Sequence, residues 1–235
     1  MHQTRPPDAP HLPYADRREA GRALADALAD RHWDAPPVVL ALPRGGVPVA
    51  VEVALRLRAP MGLLLVRKLG APNQPELAIG ALAQLQPQRP PLRVTDDELM
   101  RWTGATEQSL ARVTQRETVE LARRRDRYLA GRTPPALAGR TLILVDDGLA
   151  TGTTARAAAR CARLAHPARL VLAVPVAPAE AVRALASEVD EVLCLWQPPA
   201  FHAVGAHYAD FRQVDDDEVA ATMSRMDAQA PDAPP

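Results

Sequence analysis

Residues 141–154, TLILVDDGLATGTT, set two kinds of chemistry side by side. Asp146 and Asp147 are adjacent carboxylates that close an apolar run, and the glycine- and threonine-rich turn after them opens an alanine-rich segment of helical pattern. Gly148 and Gly152 permit backbone conformations that other residues resist, so N–H groups from Ala150 to Thr154 can converge on a phosphate at the N-terminus of that helix. Thr151, Thr153 and Thr154 add hydroxyl donors to the same anion. Carboxylates beside such a cradle repel an anion unless they reach a different part of it, such as vicinal sugar hydroxyls or a metal-bound water. A sugar phosphate meets both conditions. Two further apolar runs end in cations: Arg44-Gly45-Gly46 follows 38–42, and Arg67-Lys68 follows 63–66 and contains the one lysine of the chain. A lysine kept in a chain that otherwise uses arginine points to a need for a compact ammonium.

The central stretch lacks the Gly-Lys-Ser/Thr of a Walker A loop, and the chain contains no G-x-G-x-x-G, which sets nucleoside triphosphate and dinucleotide readings aside. Twenty-eight Lys and Arg balance 28 Asp and Glu for a formal net charge of zero, so no electrostatic case arises for a nucleic-acid or anionic-membrane partner. No apolar run reaches the length of a membrane span, and the start MHQTRPPDAP lacks the apolar core of a signal peptide, which predicts a cytoplasmic protein. Cys161 and Cys194 show no metal-ligand spacing and read as small buried hydrophobes.

These residues need a scaffold that gathers strand ends. The 235 residues suffice for a single domain, expected over 14–226, with flexible termini at 1–13 and 227–235. A helix is expected from Asp16 to about Arg31, with Ala20, Leu24, Ala27 and Leu28 as its apolar stripe. Apolar runs at 38–42, 63–66, 142–145, 170–176 and 192–196 alternate with helical sequence, the first followed by a helix over 47–58. This pattern predicts an α/β fold: a mostly parallel sheet of about five strands flanked by helices, with right-handed crossovers. Ligands of such sheets sit outside the carboxyl ends of the strands, where the cations, carboxylates and glycine turns all fall.

Between the second and third runs lies a long connection, 69–140. It reads as a turn-rich loop at 70–76, a short strand at 79–85, a polar helical segment from 95 to about 128, and a linker at 132–139. Glu120 and Arg124 stand at i,i+4 in the favourable order for an ion pair. Arg123-Arg124-Arg125 reads as a solvated helix face, with contact to a phosphate or a second subunit as the alternative.

An apolar run, two acids and then A-T-G-T-T resembles the 5-phosphoribosyl-1-pyrophosphate (PRPP) motif of the type I phosphoribosyltransferases. The resemblance implies that Asp146 and Asp147 bind the ribose hydroxyls and that Gly148, Ala150, Thr151, Gly152, Thr153 and Thr154 hold the 5′-phosphate. PRGG resembles the pyrophosphate loop of the family, which assigns Arg44, Gly45 and Gly46 to the leaving diphosphate and implies a cis peptide at Pro43–Arg44. Arg67 and Lys68 match the basic pair that neutralises pyrophosphate in several members. Residues 70–76 then form a mobile lid, with Glu76 as its candidate acid. The segment QPPAFHAVGAHYADFRQVDDDEV resembles the hood that closes over the base, and its F-x-x-V-G-x-x-Y-x-D-F spacing is nearest to purine-type members. Phe201 or Trp196 is the candidate stacking platform, His202 and His207 read as surface or capping groups, and Asp215-Asp216-Asp217 opens a terminal helix to about Met226.

The family reading implies Mg²⁺, a homodimer, and transfer of the phosphoribosyl group to a nitrogenous base with release of pyrophosphate. Catalysis falls to Arg44, Lys68, Asp146 and Asp147, with Mg²⁺ reached through PRPP or through water on the two acids. One position departs from enzymes that use hypoxanthine or guanine: Ala150 stands where they commonly carry a third acid, and the helical insertion departs from the small members generally. Two alternatives on the same fold remain at this stage, a PRPP or nucleotide sensor without catalysis and a phosphoribosyl phosphorylase or hydrolase.

Overall fold

A computed structural model of the chain describes residues 13–85 and 89–229. Its centre is a five-stranded parallel sheet in the order β2-β1-β6-β7-β8, formed by β1 (Val38–Ala41), β2 (Met61–Leu63), β6 (Thr141–Val145), β7 (Arg169–Val176) and β8 (Glu191–Trp196). The sheet is the one expected; four of its strands match within a residue, and the second run, expected at 63–66, shares only Leu63 with β2. Period-two alternation explains why its strands are apolar throughout. Val39, Ala41, Ile143 and Val145 pack with α1 (Arg17–Ala29) and α2 (Gly46–Leu57), whereas Val38, Leu40, Leu142 and Leu144 pack with α5 (Thr153–Arg163) and α6 (Ala179–Leu185). Both faces are therefore covered.

The second run does not behave as one strand. Residues 61–63 stay in the parallel sheet, and the chain then breaks away at Leu64 into β3 (Leu65–Ala71). With β4 (Gln74–Gln84) and β5 (Leu92–Thr95) it forms a separate three-stranded antiparallel sheet. Arg67 and Lys68 thus lie inside a strand, opposite Leu82 and Ala81, and not after one. The expected lid, 70–76, is the tip of the β3–β4 hairpin, and the short strand expected at 79–85 is the far half of an eleven-residue one.

The helical insertion divides at Gly104, whose φ of +65° closes α3 (Asp97–Thr103) before α4 (Glu107–Leu129) begins. Asp96 caps α3, and Thr106 and Ser109 form a reciprocal cap on α4. The pair Glu120–Arg124 forms at 2.8 Å, and Arg123 also binds Glu120, holding the pKa of the Glu120 carboxyl down at about 2. Arg123 reaches Asp216 at 2.7 Å and Arg125 binds Asp126, so the arginine run is an internal tether as much as a solvated face. The terminal helix α7 (Asp216–Gln229) includes 227–229 of the expected flexible tail; the expectations for 1–12 and 230–235 fall outside the described residues. Cys161 is buried and Cys194 half-buried, both as free thiols.

One carboxylate fastens the insertion to the second sheet. Glu117, 6% exposed, accepts from Arg67 Nε at 2.8 Å and Nη2 at 2.6 Å. Glu117→Ala should destabilise the protein by about 1–3 kcal/mol in urea unfolding, since it strands a charged donor. Arg67→Met in that background should recover part of the loss, and a double-mutant cycle on the four proteins measures the coupling.

Candidate active site

The two acids emerge from the carboxyl end of β6 in the middle of the sheet. Their crowding is extreme. A Cβ at Gly45 would stand 2.1 Å from Asp147 Oδ2, and one at Gly46 would stand 2.6 Å from the Val145 carbonyl oxygen. The sequence suggests that these two glycines admit a diphosphate; in the structure they are required by close approach of the carboxylate strand. The Pro43–Arg44 peptide is cis.

Asp147 is held from both sides. Arg17 Nε donates to its Oδ2 at 2.7 Å, with the two side chains only 10% and 13% exposed. The guanidinium sits over the Phe211 ring at 3.8 Å and donates from Nη1 to the Arg212 carbonyl at 2.8 Å. The Tyr208 hydroxyl donates to the Asp147 carbonyl at 2.5 Å. Burial raises the Asp147 pKa, and the charge and hydrogen bond of Arg17 oppose the rise. Asp146 lacks any such partner: burial, then the charge of Asp147, push its pKa well above the ordinary carboxylate range, and Lys68 lies near enough for its charge to oppose them. Its Oδ1 accepts from the Asp147 N–H at 2.9 Å.

Arg67 and Lys68 separate because adjacent strand residues face opposite ways. Lys68 takes the side of the carboxylates, and Arg67 takes the side of α4 and Glu117. The expected basic pair therefore divides, with Arg67 bound to Glu117 and the charge of Lys68 acting on Asp146. Arg44, following the first strand, places Nη1 3.4 Å from Asp216 Oδ1.

The helix after the glycine-threonine turn begins where expected. Gly152 adopts φ +76°, a left-handed conformation, and is the N-cap of α5 with no side chain capping it. Gly45 is likewise the N-cap of α2 without a side-chain cap, whereas α1, α3 and α4 are capped by Asp16, Asp96 and Thr106. The free N–H groups of the first turn of α5 are anion donors in waiting. Thr151 and Thr153 share a hydroxyl contact at 3.1 Å, and Ala150 and Thr151 are exposed.

The hood is an extended segment from 197 to 215 around a 3₁₀ turn, Val204–His207. The N-terminal segment is sewn to it: Tyr14 N–H donates to the His207 carbonyl at 3.0 Å, and Ala209 N–H to the Tyr14 carbonyl at 2.7 Å. Phe201 stacks on His207 at 5.6 Å and packs with Trp196 against the Tyr14–Tyr208 cluster. His202 is exposed as expected, but His207 is a half-buried stacking partner. Among the described residues no group of three or more His, Cys, Asp and Glu could cage a metal, so a cation here can rely on at most the two motif carboxylates. That donor set fits Mg²⁺, which binds through one or two carboxylates, waters and substrate oxygens.

Arg17 escaped the sequence reading. A signal was present, because a cation in the first turn of a helix opposes the macrodipole and needs another reason to be there. Tyr208 offered a second, as a buried phenol requires a hydrogen-bond partner.

The sequence model of the phosphoribosyl transferase domain family matches residues 14–205. A Mycobacterium tuberculosis protein provisionally named as a phosphoribosyl transferase is 46% identical over 212 residues, which are 90% of this chain and 46% of that protein. The chain thus spans about half the length of the curated relatives it matches. The crystal structure of TT1426 from Thermus thermophilus superposes with a TM-score of 0.73 at 42% identity, covering 91% of this chain and 98% of that one. On these matches, and on a fold that places the acidic pair and the glycine-capped helix where the motif requires them, the chain belongs to the phosphoribosyl transferase domain family.

Proposed function

We propose that this chain transfers the 5-phosphoribosyl group of PRPP to a nitrogenous base and releases pyrophosphate. The observation that carries the reading is the apposition, across one turn, of a carboxylate pair and an uncapped helix N-terminus, which together suit a sugar diol and its 5′-phosphate. A ring nitrogen of the base attacks C1 as the C1–O bond to diphosphate breaks, through a transition state with oxocarbenium character. Amide and hydroxyl donors from Ala150 to Thr154 hold the phosphate, so binding energy remote from C1 places the reacting carbon. Asp146 and the free oxygen of Asp147 accept from the ribose hydroxyls and favour positive charge on the ring. Lys68 and Arg44 meet the charge growing on the leaving group, in the manner of preorganised electrostatic catalysis. Asp146 and Asp147 are the residues that would hold Mg²⁺, which would supply further neutralisation of that charge. The tip of the β3–β4 hairpin serves as the lid, Phe201 and Trp196 are the candidate base platform, and a homodimer is the expected assembly.

Pyrophosphate release from PRPP and Mg²⁺ across purines, pyrimidines and related heterocycles tests the reading. Tight PRPP binding without release against any base points to the sensor alternative; nucleotide consumed with phosphate points to a phosphorylase. Lys68→Met should lower turnover ~10²-fold, the scale of one preorganised transition-state contact. Arg67→Met with Glu117→Leu should keep turnover within about threefold, as neither residue is assigned to substrate. Equal losses in the two proteins would overturn the division of the basic pair.

Asp146→Asn should also lower turnover ~10²-fold while raising the melting temperature of the ligand-free protein at neutral pH. The folded-state pKa of Asp146 is raised, so the fold holds this proton more tightly than the unfolded chain does. Its ionisation therefore costs stability as pH rises from the unfolded value, about 3.9, through the folded one. Asparagine removes that cost and keeps an acceptor for the Asp147 N–H. The gain in melting temperature, followed by calorimetry, should shrink as pH falls toward about 4.

A further inference from the structure

The helical insertion has no part in the chemistry above, yet its last turns reach the diphosphate loop through a single carboxylate. Asp216 opens α7, where Asp215 accepts from the Glu218 N–H at 2.7 Å and Glu218 pairs with Arg212 at 2.6 Å, so the helix start is fixed. Asp216 Oδ1 accepts from the Tyr128 hydroxyl at 2.5 Å and Oδ2 from Arg123 Nη2 at 2.7 Å, both on α4. Tyr128 is 1% exposed, which leaves its hydroxyl little freedom, and Arg123 is itself braced by Glu120 at 2.7 Å. Against the upward push of burial, the bonds from Tyr128 and Arg123 bring the pKa of the Asp216 carboxyl down to about 2, so it is ionised throughout the physiological range. The remaining partner of Oδ1 is Arg44 Nη1, at 3.4 Å.

The manner of that contact decides its role. A carboxylate competing with diphosphate for Arg44 would take the guanidinium fork with two donors, as Glu117 takes Arg67. Asp216 takes one donor, Nη1. Among the described residues Nε and Nη2 of Arg44 donate to no protein atom, so a bidentate edge is left for phosphate oxygens.

We propose that α4 orients the diphosphate loop: Tyr128 and Arg123 fix Asp216, and Asp216 turns the Arg44 guanidinium so that its free edge faces the leaving group. Tyr128 and Asp216 are then positioning residues that act through Arg44. The inference rests on the PRPP reading and gives the insertion a place in it.

Calorimetric titration of the full chain with inorganic pyrophosphate and Mg²⁺ tests it, using folded variants checked by thermal melting. Asp216→Asn should weaken pyrophosphate binding about tenfold, the scale of one hydrogen bond between charged groups, and Tyr128→Phe about threefold. Asp216→Glu should restore most of the affinity. The decisive arm is Arg44→Gln: in that background Asp216→Asn and Tyr128→Phe should have no further effect, because the group they orient is gone. Unchanged or tighter binding by Asp216→Asn, or an undiminished loss in the Arg44→Gln background, overturns the proposal. Tyr128→Phe keeps the buried ring and decides the matter if Asp216→Asn does not fold. A parent chain that binds neither pyrophosphate nor PRPP overturns the functional reading itself, whereas a parent that binds while the variants match it overturns only the role of α4.

Discussion

An ionised carboxylate cannot be buried alone, and the Arg17–Asp147 pair is what lets the central strand end in two of them. Removing two adjacent charges from water is costly, and here the space around them is further closed by the backbone of Gly45 and Gly46. Arg17 answers one of the two charges and, with the same guanidinium, binds the Arg212 carbonyl and covers Phe211. Three parts of the chain are thereby tied at one point: the first helix, the acidic motif and the hood. Buried pairs of this kind add little net stability compared with an apolar replacement, so the contribution of this one is registry.

The consequence is a division of labour between neighbours that look identical in sequence. Asp147 commits one oxygen and much of its charge to Arg17 and holds the hood through its carbonyl. Asp146 has no cation bonded to it, is helped only by the Asp147 N–H and the charge of Lys68, and is the member of the pair whose ionised state the fold tolerates least. A group kept in a destabilising environment is what a binding site requires, because a ligand that donates hydrogen bonds or brings a cation relieves it. The two helices that begin at glycines without side-chain caps, α2 and α5, follow the same logic with opposite sign.

The parallel sheet was legible because buried parallel strands write themselves as unbroken apolar runs, and the carboxylate–glycine–threonine turn because few other spacings would make one. The break at Leu64 was not. Residues 61–71 form one continuous β-rich run, and nothing local says that its second half leaves for another sheet. That break also hid the fate of Arg67, since the face of a strand residue depends on which sheet it joins. Glu120 and Arg124 could be paired from spacing alone because both lie on one helix; Arg17 and Asp147, 130 residues apart, could not. The acidic run at 215–217 signalled a helix start correctly, but the partners of Asp216 and Asp217, Arg123 and Arg127, are fixed only by how α4 packs on α7.

A net charge of zero conceals a graded set of cations around the site. Arg67 is taken by two donors onto buried Glu117, and Arg17 is matched to Asp147, so both fields are largely cancelled before any ligand arrives. Arg44 is engaged by a single long contact, and Lys68, among the described residues, makes no ion pair within 4 Å. An incoming anion feels the net field at its own position, and a cation already neutralised at short range adds little to it. The sequence offers three basic side chains near the strand ends and the fold adds Arg17 from α1; of the four, the folded chain leaves the charge of one intact, that of another partly so, and uses the other two as structure. Among the described residues the single lysine is thus the one of these four cations left without an ion-pair partner, and its charge opposes the rise in the Asp146 pKa.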